Sequence, residues 1–374
     1  MKKSIPIANP SLELENIDNF YEKFKKEMDS GIYVGGKNVS NLELNLSKFL
    51  GVKHVATLNS GTDALILAID SLGLKKGDEI ILPSFTYYAT AEAIMRVGAT
   101  PVFADIDKNS YCTSLKQIEN LVTSKTKCIV PVHLYGFDAD ISSLKKFCIN
   151  NNIYLIEDTA QAFGSKSKEK KLLGTYGNVN AFSNFPSKTL GGIGDGGFVA
   201  TNSSSIYKKI IMLRNHGQKK LYEHELLGYN SRMDSLNAFT LNQKLKKFGE
   251  IKKTRNKLVN TYKEILDKVD FISFPEINTN HTLLNYFTIT LPIGLRTKFQ
   301  NTLNKEGIMT NIYYKKPLHQ QKALKSYGFK KGPMDNTNNY SKRVLSLPLF
   351  SYMEEEDMDY LKTKLTNVVR KYEK

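Results

Sequence analysis

Seven short runs dense in branched aliphatic residues recur through the first two-thirds of the chain. They are Lys53–Leu58, Glu79–Leu82, Thr100–Ile106, Cys128–Leu134, Ile153–Glu157, Val179–Ser183 and Phe198–Thr201. Helical patterns such as Ser114–Leu121 and Asp140–Asn150 lie between several of them. Runs so rich in Val, Ile and Leu suit strands covered on both faces. Their alternation with helices predicts an α/β fold with a mostly parallel sheet. Ligands of such sheets bind beyond the carboxyl ends of the strands, so the residues just after each run are where chemistry is expected.

After about Leu245 the pattern changes. A Lys-rich helix is expected over Phe248–Val269, a strand over Tyr286–Leu291 and a helix over Thr297–Glu306. Gly328–Asn339 is crowded with turn formers and reads as a loop. The last helix, around Glu354–Tyr372, has Leu361, Leu365, Val368 and Tyr372 on one stripe, with acids first and bases last, as the helix dipole favours. This predicts a large α/β domain over residues 1–247 and a smaller α+β domain over 248–374.

The formal charge of +16 raises the question of nucleic acid. The lysines are spread along the chain without a basic stretch interleaved with aromatics, so a solvated, biased surface is expected and no nucleic-acid partner. Such a field would still attract an anionic small molecule. Cys112, Cys128 and Cys148 show neither disulfide-framework nor C-x-x-C spacing, and no metal is implied. No apolar run is long enough to span a bilayer, and Pro6 and Pro10 interrupt any signal-peptide core, so a cytoplasmic location is expected.

Three features carry chemistry. Ser60-Gly61-Thr62 follows the first run and opens a helical pattern, offering free amides and hydroxyls to an anion, although Ser60 is equally suited to cap that helix. The run Ile153–Glu157 ends on two acids, Glu157 and Asp158, with Gln161 close behind. Lys188 stands between the run ending at Ser183 and five glycines within Gly191–Gly197, where the backbone must turn tightly or approach a ligand. An anion cradle, a strand-end acid and a loop lysine together suit pyridoxal phosphate. That cofactor needs a phosphate anchor, an acid at its ring nitrogen and a lysine for its aldehyde.

The stretches Pro83–Ala91 (PSFTYYATA), Val132–Gly136 (VHLYG), Ile156–Gln161 (IEDTAQ), Phe185–Lys188 (FPSK), His216-Gly217 and Gly228–Asp234 (GYNSRMD) resemble the DegT/DnrJ/EryC1/StrS family of sugar aminotransferases, in order and over nearly the whole chain. The resemblance implies fold type I of the pyridoxal-phosphate transferases, with a mixed, mostly parallel seven-stranded sheet. It implies transfer of an amino group from L-glutamate to a nucleotide-linked keto sugar, the cofactor alternating with its pyridoxamine form. By position, Lys188 resembles the Schiff-base lysine and proton carrier, and Asp158 the partner of the ring nitrogen. Gln161 matches the contact to the ring hydroxyl, Gly61, Thr62 and Ser183 match phosphate contacts, and Tyr87 matches the stacking aromatic. Asn230 matches a residue that reaches the neighbouring subunit's cofactor, which implies a homodimer with shared active sites.

Asn184, Ser187, Thr159, Phe239 and Thr240 depart from the residues more usual in the family, but none removes a group the reaction needs. Ser231 and the stretch Tyr313–Gln320 (YYKKPLHQ) resemble enzymes acting on dTDP-linked 3-keto-6-deoxyhexoses, the product being a 3-amino-3,6-dideoxy sugar for glycan assembly. There Tyr314 and His319 are expected either to contact the substrate or to pack between domains. The alternatives are a 4-keto sugar nucleotide and a regulatory protein that binds cofactor or sugar without turnover. A dehydratase of the same family would carry histidine in place of Lys188.

Overall fold

A computed structural model describes residues 3–373. All seven expected strands form: β1 (His54–Leu58), β2 (Glu79–Pro83), β3 (Thr100–Ala104), β4 (Thr126–Ile129), β5 (Tyr154–Asp158), β6 (Val179–Ser183) and β7 (Gly197–Thr201). They line up in the order β1-β7-β6-β5-β4-β2-β3. Only β7 runs against its neighbours; the pairs β6-β5, β5-β4, β4-β2 and β2-β3 are parallel. Side chains alternate across the sheet, and both faces are apolar. Ile80 and Leu82 of β2 enter one core cluster, and Ile81 enters another on the opposite side. The mostly parallel sheet with helices is the α/β architecture expected.

Among the described residues, the chain then forms a short hairpin, β8 (Gln218–Lys220) with β9 (Glu223–His224), and the helix Ser235–Lys246. The C-terminal part begins with the helix Phe248–Leu266. It contains the antiparallel pair β10 (Phe287–Thr290) and β12 (Val344–Leu347), onto which the helices Arg296–Lys305 and Glu355–Tyr372 pack through Phe299, Leu361 and Leu365. The start of the chain joins this part: the Ile5 amide donates to Gly307 O at 2.7 Å.

The segment expected as one loop, Gly328–Asn339, is more ordered than its composition suggests. Lys330–Lys331 forms β11, an eighth strand parallel to β3, and Asp335–Tyr340 is a helix. The cause lies far away in sequence. The carboxylate of Asp105, just past β3, accepts the amides of Asn336 and Thr337 at 2.9 and 2.8 Å, supplying a cap that no nearby residue provides.

Candidate active site

The carboxyl ends of β1, β2, β5 and β6 meet at a cleft of about 350 Å³. Past β1, Ser60 is extended and its Oγ accepts the Asp63 amide at 3.0 Å, so its side chain caps the helix Gly61–Ser71. The amides of Gly61 and Thr62 have no acceptor within the helix, and both residues line the cleft. Gly61 lies directly against β6: a Cβ there would come within 2.7 Å of the Ser183 Cβ. Only glycine lets the helix begin this close to the strand.

The two acids at the end of β5 part company, as alternation along a strand requires. Glu157 turns into the interior, where it accepts the amides of Gly174 (2.8 Å), Tyr176 (2.5 Å) and Gly177 (3.0 Å) and contacts His133 Nε2 at 3.0 Å. His133 Nδ1 accepts the Ala139 amide, which places the ring proton on Nε2, facing Glu157. Asp158 faces the cleft and is only 3% exposed. Its Oδ2 accepts the Thr90 hydroxyl at 2.8 Å and its Oδ1 the Ala160 amide at 3.2 Å. Burial pushes this carboxyl above its ordinary range, while the Thr90 hydroxyl, the Ala160 amide and the positive charge of Lys188 draw it back.

Lys188 projects from a tightly closed loop. Its amide donates to Phe185 O at 2.8 Å, Gly192 N donates to Asn184 O at 2.8 Å, and Asn184 Nδ2 donates to Leu190 O at 2.9 Å. Asn184 therefore closes the loop that carries the lysine. Gln161 Oε1 accepts the Tyr135 amide at 2.9 Å, and because that amide can only donate, Gln161 Nε2 points to the Tyr314 hydroxyl, 2.9 Å away. Tyr313 stacks on Tyr286 at 4.2 Å, and Tyr314 lies 6.0 Å from Tyr87 at the cleft. Burial holds the Tyr314 phenol well above its ordinary range.

Gly61, Thr62, Tyr87, Asp158, Gln161, Ser183, Lys188 and Tyr314 are thus brought together at one cleft, and among the described residues Lys188 is the sole cation on its lining. His319 and Asn230 lie outside that lining. His319 is buried, its Nδ1 2.7 Å from Ser84 Oγ, which in turn accepts the His319 amide at 3.2 Å. Burial, and secondarily the charge of Lys331, lower its pKa. The histidine pins the turn after Tyr314 onto the end of β2. Asn230 is exposed on the Gly228–Asp234 segment, between buried Ser231 and half-buried Tyr229, and its Oδ1 accepts from Arg232 Nη2 at 2.8 Å. Thr90, Tyr286 and Tyr313 also line the cleft but went unassigned in the sequence. Thr90 reaches a residue 68 positions away, and nothing in its local surroundings signals that contact.

The arrangement suits pyridoxal phosphate. Gly61 and Thr62 offer unsatisfied amides to a phosphate, and a buried carboxyl with spare lone pairs is most stable facing a cation such as a protonated pyridine. Lys188 would hold the aldehyde.

The profile of the DegT/DnrJ/EryC1/StrS aminotransferase family matches residues 15–366. The UDP-N-acetyl-3-dehydro-α-D-glucosamine 3-aminotransferase of Acidithiobacillus ferrooxidans is 38% identical over 92% of this chain and 91% of its own length. A pleiotropic regulatory protein of Geobacillus stearothermophilus is 36% identical over 94% and 97%. Further relatives are named for dTDP- and GDP-linked sugars. The fold superposes on S. venezuelae DesV, solved in complex with a ketimine intermediate, with a TM-score of 0.92, 29% identity and coverage of 98% and 99%. NtdA of Bacillus subtilis, solved with bound cofactor PMP, gives a TM-score of 0.89 at 27% identity, covering 99% and 86%. With motif order, cleft chemistry and overall fold in agreement, this chain belongs to the DegT/DnrJ/EryC1/StrS aminotransferase family, pyridoxal-phosphate-dependent transaminases of nucleotide-linked sugars.

Proposed function

We propose that this enzyme moves an amino group from L-glutamate to C3 of a nucleotide-linked keto sugar, with a dTDP-linked 3-keto-6-deoxyhexose as the favoured acceptor. The observation that carries the proposal is that Lys188, Asp158 and the Gly61 helix start converge on one cleft whose other wall is Tyr313-Tyr314. Bound pyridoxal phosphate supplies an aldehyde for amine exchange and a ring that draws electrons from the bond being broken. Asp158, held from two sides by Thr90 and Ala160, keeps the ring nitrogen protonated. The amides of Gly61 and Thr62, with Ser183 beside them, take the phosphate. Gln161, fixed by the Tyr135 amide, offers its remaining N–H to the ring hydroxyl, and Tyr87 covers the ring. Lys188, which lines the same cleft, would be the group that moves the proton at the sugar carbon.

Transfer at C3 is supported by relatives named for 3-dehydro, 3-oxo and 3-amino sugars; these bear UDP in some cases and dTDP in others. A 4-keto acceptor, UDP- or dTDP-linked, is the alternative, and the GDP-perosamine synthase among the relatives widens the range of nucleotides to be tested. A homodimer with shared sites is supported by two features. Asn230 lies outside its own chain's cleft. Exposed Tyr33, Val34 and Leu221, the last two lining one groove, form an apolar surface beside the segment that bears it.

The test is an absorption spectrum before and after addition of glutamate. Loss of the visible band of lysine-bound cofactor, with growth of the amine-form band, establishes the donor half-reaction. The amine form is then offered dTDP- and UDP-linked 3-keto sugars and their 4-keto counterparts, and the acceptor is whichever restores the band. Failure to form the band after cofactor is added would remove Lys188 from its role. A band that no keto sugar restores would favour a regulatory protein, a reading that the Geobacillus relative's name keeps in view.

A further inference from the structure

Behind the Lys188 loop lies an ion pair that the proposed chemistry does not use. Lys244, on the helix Ser235–Lys246, is 1% exposed. Its Nζ donates to Gly191 O at 2.6 Å and lies 2.5 Å from Oε2 of Glu13, which is itself 5% exposed. Glu13 Oε1 accepts the Ser351 hydroxyl at 2.9 Å. One buried ammonium thus joins the start of the chain and the C-terminal part to a carbonyl three residues past Lys188. Two charges taken out of water cost several kcal/mol each before their attraction is counted, and apolar side chains of similar size often fill such positions without loss of stability. What the ammonium adds is a donor for the Gly191 carbonyl, to which no other hydrogen bond is made among the described residues.

Gly191 is a point through which the loop is controlled. It packs so tightly against the other limb that a Cβ there would lie 2.3 Å from Pro186 O. Seven residues before Lys244, on the same helix face, Asn237 accepts the Ile193 amide at 3.1 Å and donates to Asp195 O at 2.8 Å. On the other side, Asn285 Oδ1 accepts the Thr189 amide at 3.1 Å, while Arg255, also buried, donates to Asn285 O at 3.0 Å. The limb from Thr189 to Asp195 is therefore gripped from two sides.

We propose that Lys244 is a positioning residue for Lys188: its ammonium, neutralised by Glu13, holds the Gly191 carbonyl and so fixes the loop that aims the Lys188 amine into the cleft. The inference rests on Lys188 being the lysine that holds the cofactor.

The test compares Lys244→Met, the double variant Glu13→Leu with Lys244→Met, and Lys188→Ala. Three properties are read: the melting temperature, the pH midpoint of the visible band of bound cofactor, and kcat against KM. Lys244→Met is expected to melt lower, to shift the pH midpoint and to lower kcat by up to about 100-fold with KM for the keto sugar little changed, as misplacement of a reacting group by about 1 Å does. The double variant leaves no unpaired buried charge, so its melting temperature should recover while its pH midpoint and kcat stay altered. If midpoint and kcat recover together with stability, or never change, the pair is structural and the proposal is overturned. Should Lys244→Met fail to fold, the double variant carries the comparison alone. Lys188→Ala separates the two levels: a visible band that persists in it sinks the underlying assignment, whereas its loss beside normal Lys244 variants sinks only the role of Lys244.

Discussion

The hydroxyl of Thr90 donates to Oδ2 of Asp158 at 2.8 Å, joining the helix after β2 to the end of β5 inside the cleft. A hydrogen bond to a charged group is worth about 1.5–3 kcal/mol. Valine has nearly the same shape and cannot donate. Thr90→Val should raise the Asp158 pKa further and lower kcat by about 10- to 100-fold with the fold intact. Steady-state kinetics beside a melting curve checks this; an unchanged kcat would mean that Asp158 is held adequately by the Ala160 amide alone.

Removing the reacting groups should be more severe. Lys188→Ala should abolish both the visible cofactor band and turnover, since proton transfer alone is worth about 10²–10⁴-fold. Asp158→Ala should keep some cofactor but lose most activity, because an unprotonated ring is a poor acceptor of electrons. Single-turnover assays with glutamate separate the two, and near-normal rates in either variant would show that role to be misassigned.

Gly61→Ala tests the cradle sterically. Its Cβ would meet the Ser183 Cβ at 2.7 Å, so the helix start or β6 must shift. Overpacking of this kind costs about 1–3 kcal/mol. Because the displaced atoms include the Gly61 and Thr62 amides, cofactor affinity should fall by about tenfold or more. Titration of the cofactor-free variant with pyridoxal phosphate measures this directly. Affinity equal to the wild type would place the phosphate elsewhere.

The parts legible in the sequence were those that local pattern encodes. The seven buried strands announced themselves by composition, and the strand-end residues followed because parallel sheets place ligands there. Long-range contacts were hidden. Asp105 caps the helix Asp335–Tyr340 from more than 200 residues away, and β11 forms by pairing with the equally distant β3. Glu157 and Asp158 read alike as adjacent acids, yet the pleat sends one into a nest of amides and the other into the cleft. The sequence left Tyr314 and His319 with the same two possibilities, and the fold sets them in different surroundings: Tyr314 lines the cleft beside Gln161, while His319 is buried against Ser84. Neither distinction follows from residue type or spacing.

Asp158 also makes stability depend on pH. Burial raises its folded-state pKa above the ordinary 3.8, so between those two values the folded protein binds more protons than the unfolded chain. Stability then falls as pH rises through that interval. The contribution is fully present below the unfolded value and is lost once the pH passes the folded one. Asn is neutral throughout; with its Oδ1 accepting the Ala160 amide, its NH2 would donate to the Thr90 hydroxyl oxygen. In cofactor-free protein, Asp158→Asn should therefore gain melting temperature relative to wild type as pH rises from about 4 toward 7. Saturating pyridoxal phosphate should remove or reverse that gain, because a protonated ring nitrogen gives the Asp158 carboxylate the cation it lacks. Parallel melting curves of the two proteins across that range, with and without cofactor, provide the measurement. A difference that is independent of both pH and cofactor would show that the Asp158 carboxyl is not the group facing the ring.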